Sequence, residues 1–253
     1  MVFRISIALV AVLVLLAGLA PDSFNAVVQA VLAEVVRGAG WLYLLVVFLA
    51  LTFLLYLAFG RFANLRIGGE DAEPDFSRAS WMSMLFAAGM GIGLVFWGAA
   101  EPVSHFVKPP EGLEPMGMDA ARASMRYAFF HWGLHPWAVY ALIGLAMAWF
   151  QFNRNGRGLV SDMLQPIIGR HHRGWIGHAV NISAVVATAV GVATTLGFGT
   201  IQIAAGLERV FGIPSSVPTQ MVIIAVAFVL YMASTLSGVE RGVKWLSNFN
   251  LGL

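Results

Sequence analysis

No cysteine occurs in the 253 residues, which excludes disulfides, thiolate nucleophiles and cysteine metal ligands and leaves the redox compartment unmarked. Charge is scarce as well: Asp, Glu, Lys and Arg make up 11% of the chain, against roughly 25% in a soluble domain. All thirteen acids fall in loops or at the ends of apolar runs, with Glu101 the nearest to lipid. A proton relay built on a buried carboxylate therefore has no candidate. The same shortage argues against a hydrolase using paired carboxylates, and no nucleophile stands with a placed base, so no enzyme is expected. There is no basic run and no aromatic-basic platform, so nucleic acid is not an expected partner.

What remains is apolar. Hydrophobic residues form 59% of the chain, and its mean hydropathy is +0.79, which marks an all-helical integral membrane protein with the lipid bilayer as its surroundings. Residues 5–21 follow a lone Arg4 and read as a first span, although the basic start and the AGLA before Pro21 also resemble a signal peptide. Residues 24–36 read as an amphipathic connection and 38–60 as a second span. The run 66–78 holds four acids in six positions and reads as a solvated loop. A third span covers 81–102, and a loop with Pro109, Pro110 and Pro115 follows that cannot be one regular helix. A fourth span covers about 127–152. The basic loop 153–173 carries His171 and His172, read as surface residues because no third ligand stands at metal spacing. A fifth span covers about 178–207 and a sixth 218–238, and Trp245 begins a seventh, giving about six full spans plus the start of another. With the N-terminus inside, the inner loops carry ten Lys and Arg and the outer loops five, so a cytoplasmic N-terminus is expected.

The third span, WMSMLFAAGMGIGLVFWGAAEP, is long enough to cross the ~30 Å hydrocarbon core, yet Gly89, Gly91 and Gly93 interrupt it. Each glycine costs about 1 kcal/mol of helix propensity relative to alanine, so three alternate glycines mark a place where the helix can open. Opened backbone at membrane depth must be buried in protein or line a wet cavity. There it offers carbonyls to a cation and amides to an anion. The plainer reading is that the glycines let a neighbouring helix approach closely.

In the fourth span, FFHWGLHPWAVY places Trp132, Trp137 and Tyr140 deep in the bilayer. Counted from Arg126, Trp137 and Tyr140 lie roughly 16 to 21 Å in, too deep for the interfacial belt that suits Trp81 and Trp149. On one continuous helix Trp137 and Tyr140 sit about 60° apart and Trp132 within about 140° of both, with Pro136 expected to bend the helix. Three rings on one side suit a quaternary ammonium, which has no N–H to satisfy. His131 and His135 lack a third ligand and read as packing residues. In the fifth span Thr188 and Thr195, two turns apart, can bond back to their own helix or add hydroxyl oxygen to a Na⁺ site facing the opened third span.

These segments resemble the betaine/choline/carnitine transporter family: FAAGMGIG at 86–93, GAAEP at 98–102, FHWGLHPWAVY at 130–140, TLGFGTIQI at 195–203 and GVERGVKWLSNFN at 238–250. The resemblance runs over nearly the whole chain. It implies a leucine-transporter-like inverted-repeat fold, often trimeric, within which 1–253 is a single transmembrane domain. Residues 1–63 would be two peripheral leading helices and 78–253 most of the first inverted repeat. By the same resemblance Trp132, Trp137 and Tyr140 match three members of an aromatic box around a trimethylammonium group. Ala87 and Met90 match positions whose carbonyls bind one Na⁺, and Thr188 matches one threonine of a second Na⁺ site. Val192 departs from that pattern, standing where sodium/betaine symporters have a further threonine. Gly93 matches the GMGIG form of betaine carriers, where choline carriers often have aspartate.

The expectation is an inner-membrane carrier of glycine betaine or a related quaternary-ammonium osmolyte. Glycine-rich backbone at Gly89, Gly91 and Gly93 would meet the carboxylate or line its path. Na⁺ would be the coupling ion, with no other cofactor. The alternatives are an Na⁺-independent exchanger or proton-coupled choline or carnitine carrier and, in another class, a non-transporting membrane fragment or interaction subunit.

Overall fold

The computed structural model describes residues 1–89, 91–110, 112–238 and 242–252, and among them regular structure is helical, with no strand. The chain runs through α1 (Val2–Leu19), α2 (Pro21–Phe59), α3 (Arg78–Gly89), α4 (Ile92–Val107), α5 (Met118–Trp132), α6 (Leu134–Ala148), the short α7 (Gln165–Ile168), α8 (Trp175–Phe211), α9 (Val217–Ser237) and α10 (Lys244–Gly252). By length and composition, α1, α2, the stretch Met118–Asn153, α8 and α9 can each cross a membrane; α3 and α4 add a sixth crossing if the bent pair is one span.

The helices are inside out compared with those of a soluble domain. Among the described residues every buried apolar side chain is an alanine: Ala50, Ala120, Ala123, Ala138 and Ala204. Large apolar side chains such as Phe48, Leu49, Phe129 and Phe228 face outward. Lipid removes the hydrophobic drive between helices, so small residues that let backbones close up take the contacts instead.

Helix boundaries follow local chemistry. Ala20, at φ −142° and ψ 62°, separates α1 from α2, and Pro21 opens α2, where its missing amide costs nothing. Residues 24–36, expected as a separate amphipathic connection, instead continue α2. No proline interrupts the sequence between Pro21 and Gly60, and the helix runs 39 residues, about 58 Å at the ordinary rise.

Two compact units divide the chain: Met1–Ala72 with Phe130–Gly191, and Glu73–Phe129 with Val192–Leu253. In the first, α2 packs on α6 and on α1. The loop after α2 is tied to the end of a five-residue π turn, Trp149–Asn153. Gly68 donates its amide to Asn153 Oδ1 at 2.9 Å, and Asn153 Nδ2 donates to the Arg66 carbonyl at 3.3 Å.

The same unit holds an ordered polar knot in the basic loop 153–173, where His171 and His172 are expected at the surface. Asp162 is buried and accepts from the Arg157 amide at 2.7 Å and the Arg157 guanidinium at 3.0 Å. Burial pushes this carboxyl up. The Arg157 guanidinium and amide, with the Leu159 amide, more than reverse that and hold it below the usual carboxylate value. Asn181 of α8 fixes the turn from the other side, accepting the Ser161 amide and donating to Ser161 Oγ, both at 3.0 Å. His171 is exposed as expected, but His172 is only 6% exposed. Its Nδ1 lies 2.7 Å from the Gly169 carbonyl, and Arg173 Nε donates to its Nε2. The surface assignment fails for His172 because loop composition does not reveal which polar groups have buried partners.

In the second unit α3 packs against α10, where Ser80, Ser83 and Ser247 are buried and Asn248 Nδ2 donates to Ser80 Oγ at 3.3 Å. Phe198 of α8 stacks on Phe96 of α4 at 5.3 Å between centroids and meets Trp97 edge to face at 5.8 Å.

Candidate functional site

The aromatic segment of the first unit is shaped by Gly133. At φ −86° and ψ −139° it ends α5 after Trp132 and caps α6 at Leu134. Pro136 lies in the first turn of α6, where a proline is tolerated, so the interruption falls at Gly133 and not at Pro136. Trp132 thus ends one helix and Trp137 and Tyr140 lie on the next, so the three rings do not share the single continuous helix on which Trp132 would fall within about 140° of both. Trp132 is half-buried at the end of α5.

Trp137 and Tyr140 share α6, and their rings meet edge to face, 5.8 Å apart at 74°. Trp137 is 37% exposed and Tyr140 60%. Edge-to-face contact fixes the two rings against each other while leaving face area uncovered. The His131 and His135 rings both lie near the Phe130 ring, at 5.6 and 4.7 Å between centroids.

In the second unit the glycine-rich span is broken. α3 ends at Gly89, Gly91 is extended at φ −70° and ψ 174°, and α4 starts at Ile92; the two helices are bent by 47°. The last four carbonyls of a helix have no partner within it, and Ala87 belongs to that set. At the other side of the break the first helical bond of α4 among the described residues runs from the Val95 amide to the Gly91 carbonyl at 3.2 Å. The amides of Gly93 and Leu94 lie in the first turn, whose amides have no partner within the helix itself, at the positive end of a sixteen-residue helix. The break thus offers acceptors on one side and donors on the other. Among the described residues, nothing stands within 4 Å of an added Cβ at Gly91 or Gly93. Met90, the other expected carbonyl donor, lies outside the described residues.

Thr188, in the first unit, donates its hydroxyl to the Ala184 carbonyl of its own helix at 2.8 Å. That bond uses the proton and leaves oxygen lone pairs for a further partner. Sequence reasoning overlooked the Phe96, Trp97 and Phe198 cluster, although its residues lie in the segments LVFWG and TLGFG. Alternating small and aromatic residues were its only trace.

The family described as "BCCT, betaine/carnitine/choline family transporter" matches residues 1–253. The chain belongs to this family. Among curated relatives of this BCCT chain, the glycine betaine transporter OpuD of Bacillus subtilis (strain 168) is 47% identical over 253 residues, covering 100% of this chain and 49% of the relative. The ectoine/hydroxyectoine transporter of Virgibacillus pantothenticus is 44% identical, covering 99% of this chain and 50% of the relative. A glycine betaine transporter of Acinetobacter baylyi is 39% identical, covering 100% and 38%. The BCCT chain spans about half the length, or less, of these relatives. Its family is one of membrane transporters, not enzymes.

Proposed function

We propose that the protein carrying this chain is a secondary active transporter of quaternary-ammonium osmolytes such as glycine betaine. The exposed Trp137 and Tyr140 pair on α6 is the observation that carries the reading, because two rigid ring faces suit a cation without N–H donors. Trp132 completes the ring set in this account, and the backbone at Gly89, Gly91 and Gly93 meets the carboxylate or lines its path. Carbonyls of Ala87 and Met90, and the hydroxyl of Thr188, contribute to Na⁺ binding, so the sodium gradient drives uptake. The N-terminus is cytoplasmic, the membrane is the cell inner membrane, the fold is the inverted-repeat type and the assembly is a homotrimer.

The likeness to an ectoine/hydroxyectoine transporter supports a second cargo, the ectoine class, alongside betaine. The test is uptake of radiolabelled glycine betaine, choline, carnitine and ectoine into liposomes holding the complete protein, with Na⁺ or K⁺ outside. Betaine uptake that stops when K⁺ replaces Na⁺ supports symport. Uptake indifferent to that replacement favours exchange or proton coupling, and no uptake of any of the four sinks the reading.

A further inference from the structure

At the foot of α3, Pro74, Asp75, Phe76, Arg78 and Trp81 line an open cavity of about 430 Å³, all within the second unit. That volume lies in the usual range of small-molecule sites, ~300 to 1,000 Å³. The cavity has an aromatic wall and two opposite charges. Trp81 is half exposed, so one face of its indole is available. Phe76 already attracts a cation, since Lys244 Nζ of α10 stands 5.9 Å from its ring centroid. Among the described residues neither the Asp75 carboxylate nor the Arg78 guanidinium has a side-chain hydrogen bond or ion pair, although the two lie three positions apart.

We propose that this corner binds a zwitterion whose ammonium rests on Trp81 beside Asp75 and whose anionic group meets Arg78, with Lys244 adding positive charge on the anionic side. An isolated cation would answer only half of this surface and an anion only the other half. A ligand with both charges a few bonds apart satisfies Asp75 and Arg78 together. Two sources share that chemistry: free betaine, and the headgroup of phosphatidylethanolamine at the membrane surface. The betaine source rests on the proposed cargo, whereas the site itself uses none of the residues assigned to transport.

The test counts sites on the complete protein in phosphatidylglycerol liposomes by equilibrium binding of radiolabelled glycine betaine. The wild type should show a tighter and a weaker class. The double variant Asp75→Asn/Arg78→Gln should weaken the second class about tenfold while leaving the tighter class and the uptake KM unchanged. Trp137→Leu should do the reverse and weaken the tighter class alone; a tighter class that Trp137→Leu leaves untouched would indict the transport reading and not this corner. Phosphatidylethanolamine that competes away the weaker class assigns the site to the lipid headgroup; indifference to it assigns free betaine. Where the wild type shows no weaker class, phosphatidylethanolamine retained by the purified protein is counted by native mass spectrometry. One retained lipid fewer in the double variant supports the site. Equal weaker-class binding in wild type and double variant overturns the proposal, and so does equal lipid retention where no weaker class is seen.

Discussion

Trp137 and Tyr140 meet edge to face on α6, with ring centroids 5.8 Å apart and both rings open to the surroundings. Their spacing of three residues places them on neighbouring parts of one helix surface, and each ring limits the other's rotation. A ring pair held in this way has face area to offer a cation without ordering either side chain anew. Trp137→Leu should therefore weaken betaine binding by about 1 to 2 kcal/mol while membrane insertion is unchanged. Trp137→Phe should lose less, because it keeps a π face. Equilibrium binding to the purified complete protein checks both, and unchanged affinity in the leucine variant removes the ring pair from the site.

Thr188 separates packing from ion binding. Its hydroxyl bond to the Ala184 carbonyl is an ordinary feature of membrane helices, so Thr188→Ala should leave thermal stability nearly unchanged. If its oxygen also contacts Na⁺, the half-saturating Na⁺ concentration for uptake should rise about tenfold, equivalent to ~1.4 kcal/mol. A flat Na⁺ dependence would return Thr188 to a purely helical role.

The knot around Asp162 predicts an acid limb in stability. Its carboxyl titrates lower in the folded protein than in the unfolded chain, so the folded state holds fewer protons there. Its stabilising contribution is complete above the unfolded pKa of about 3.9 and is lost as pH falls from there through the lower folded value. Asp162→Asn should cost roughly 1.5 to 3 kcal/mol near neutral pH, the range for hydrogen bonds to a charged group, and should flatten the decline of Tm in acid. A Tm profile in detergent that superimposes on wild type would contradict this.

Two glycines should behave oppositely. At Gly91 an added Cβ meets open space and the backbone angles suit any residue, so Gly91→Ala should fold with stability within about 0.5 kcal/mol of wild type. At Gly177, in the first turn of α8, an added Cβ would run into the His172 backbone carbonyl. Gly177→Ala should cost about 1 to 3 kcal/mol by forcing the 169–174 turn away. Thermal melts of the two variants decide it.

Composition and apolar run length made the membrane class legible, and the three glycines marked the break in the third span because local propensity dominates there. The aromatic pair was legible from its i,i+3 spacing. Trp132 could not be placed because Gly133 ends its helix, and the sequence offered Pro136 as the more obvious breaker. His172 was misread since its burial depends on Gly169, Arg173 and a neighbouring turn, none of which leaves a periodic pattern. Gly177 gave no signal at all, because its constraint is a backbone contact.

The central claim is that positive charge on the cargo, and not its shape alone, is what the rings on α6 recognise. It is tested most directly by comparing glycine betaine with 3,3-dimethylbutanoate, the same shape with carbon in place of the quaternary nitrogen, as competitors for radiolabelled betaine on the complete protein. The account predicts that the neutral-headed analogue competes about tenfold less well against wild type, and that Trp137→Leu narrows the gap. Equal competition by the two compounds would contradict it.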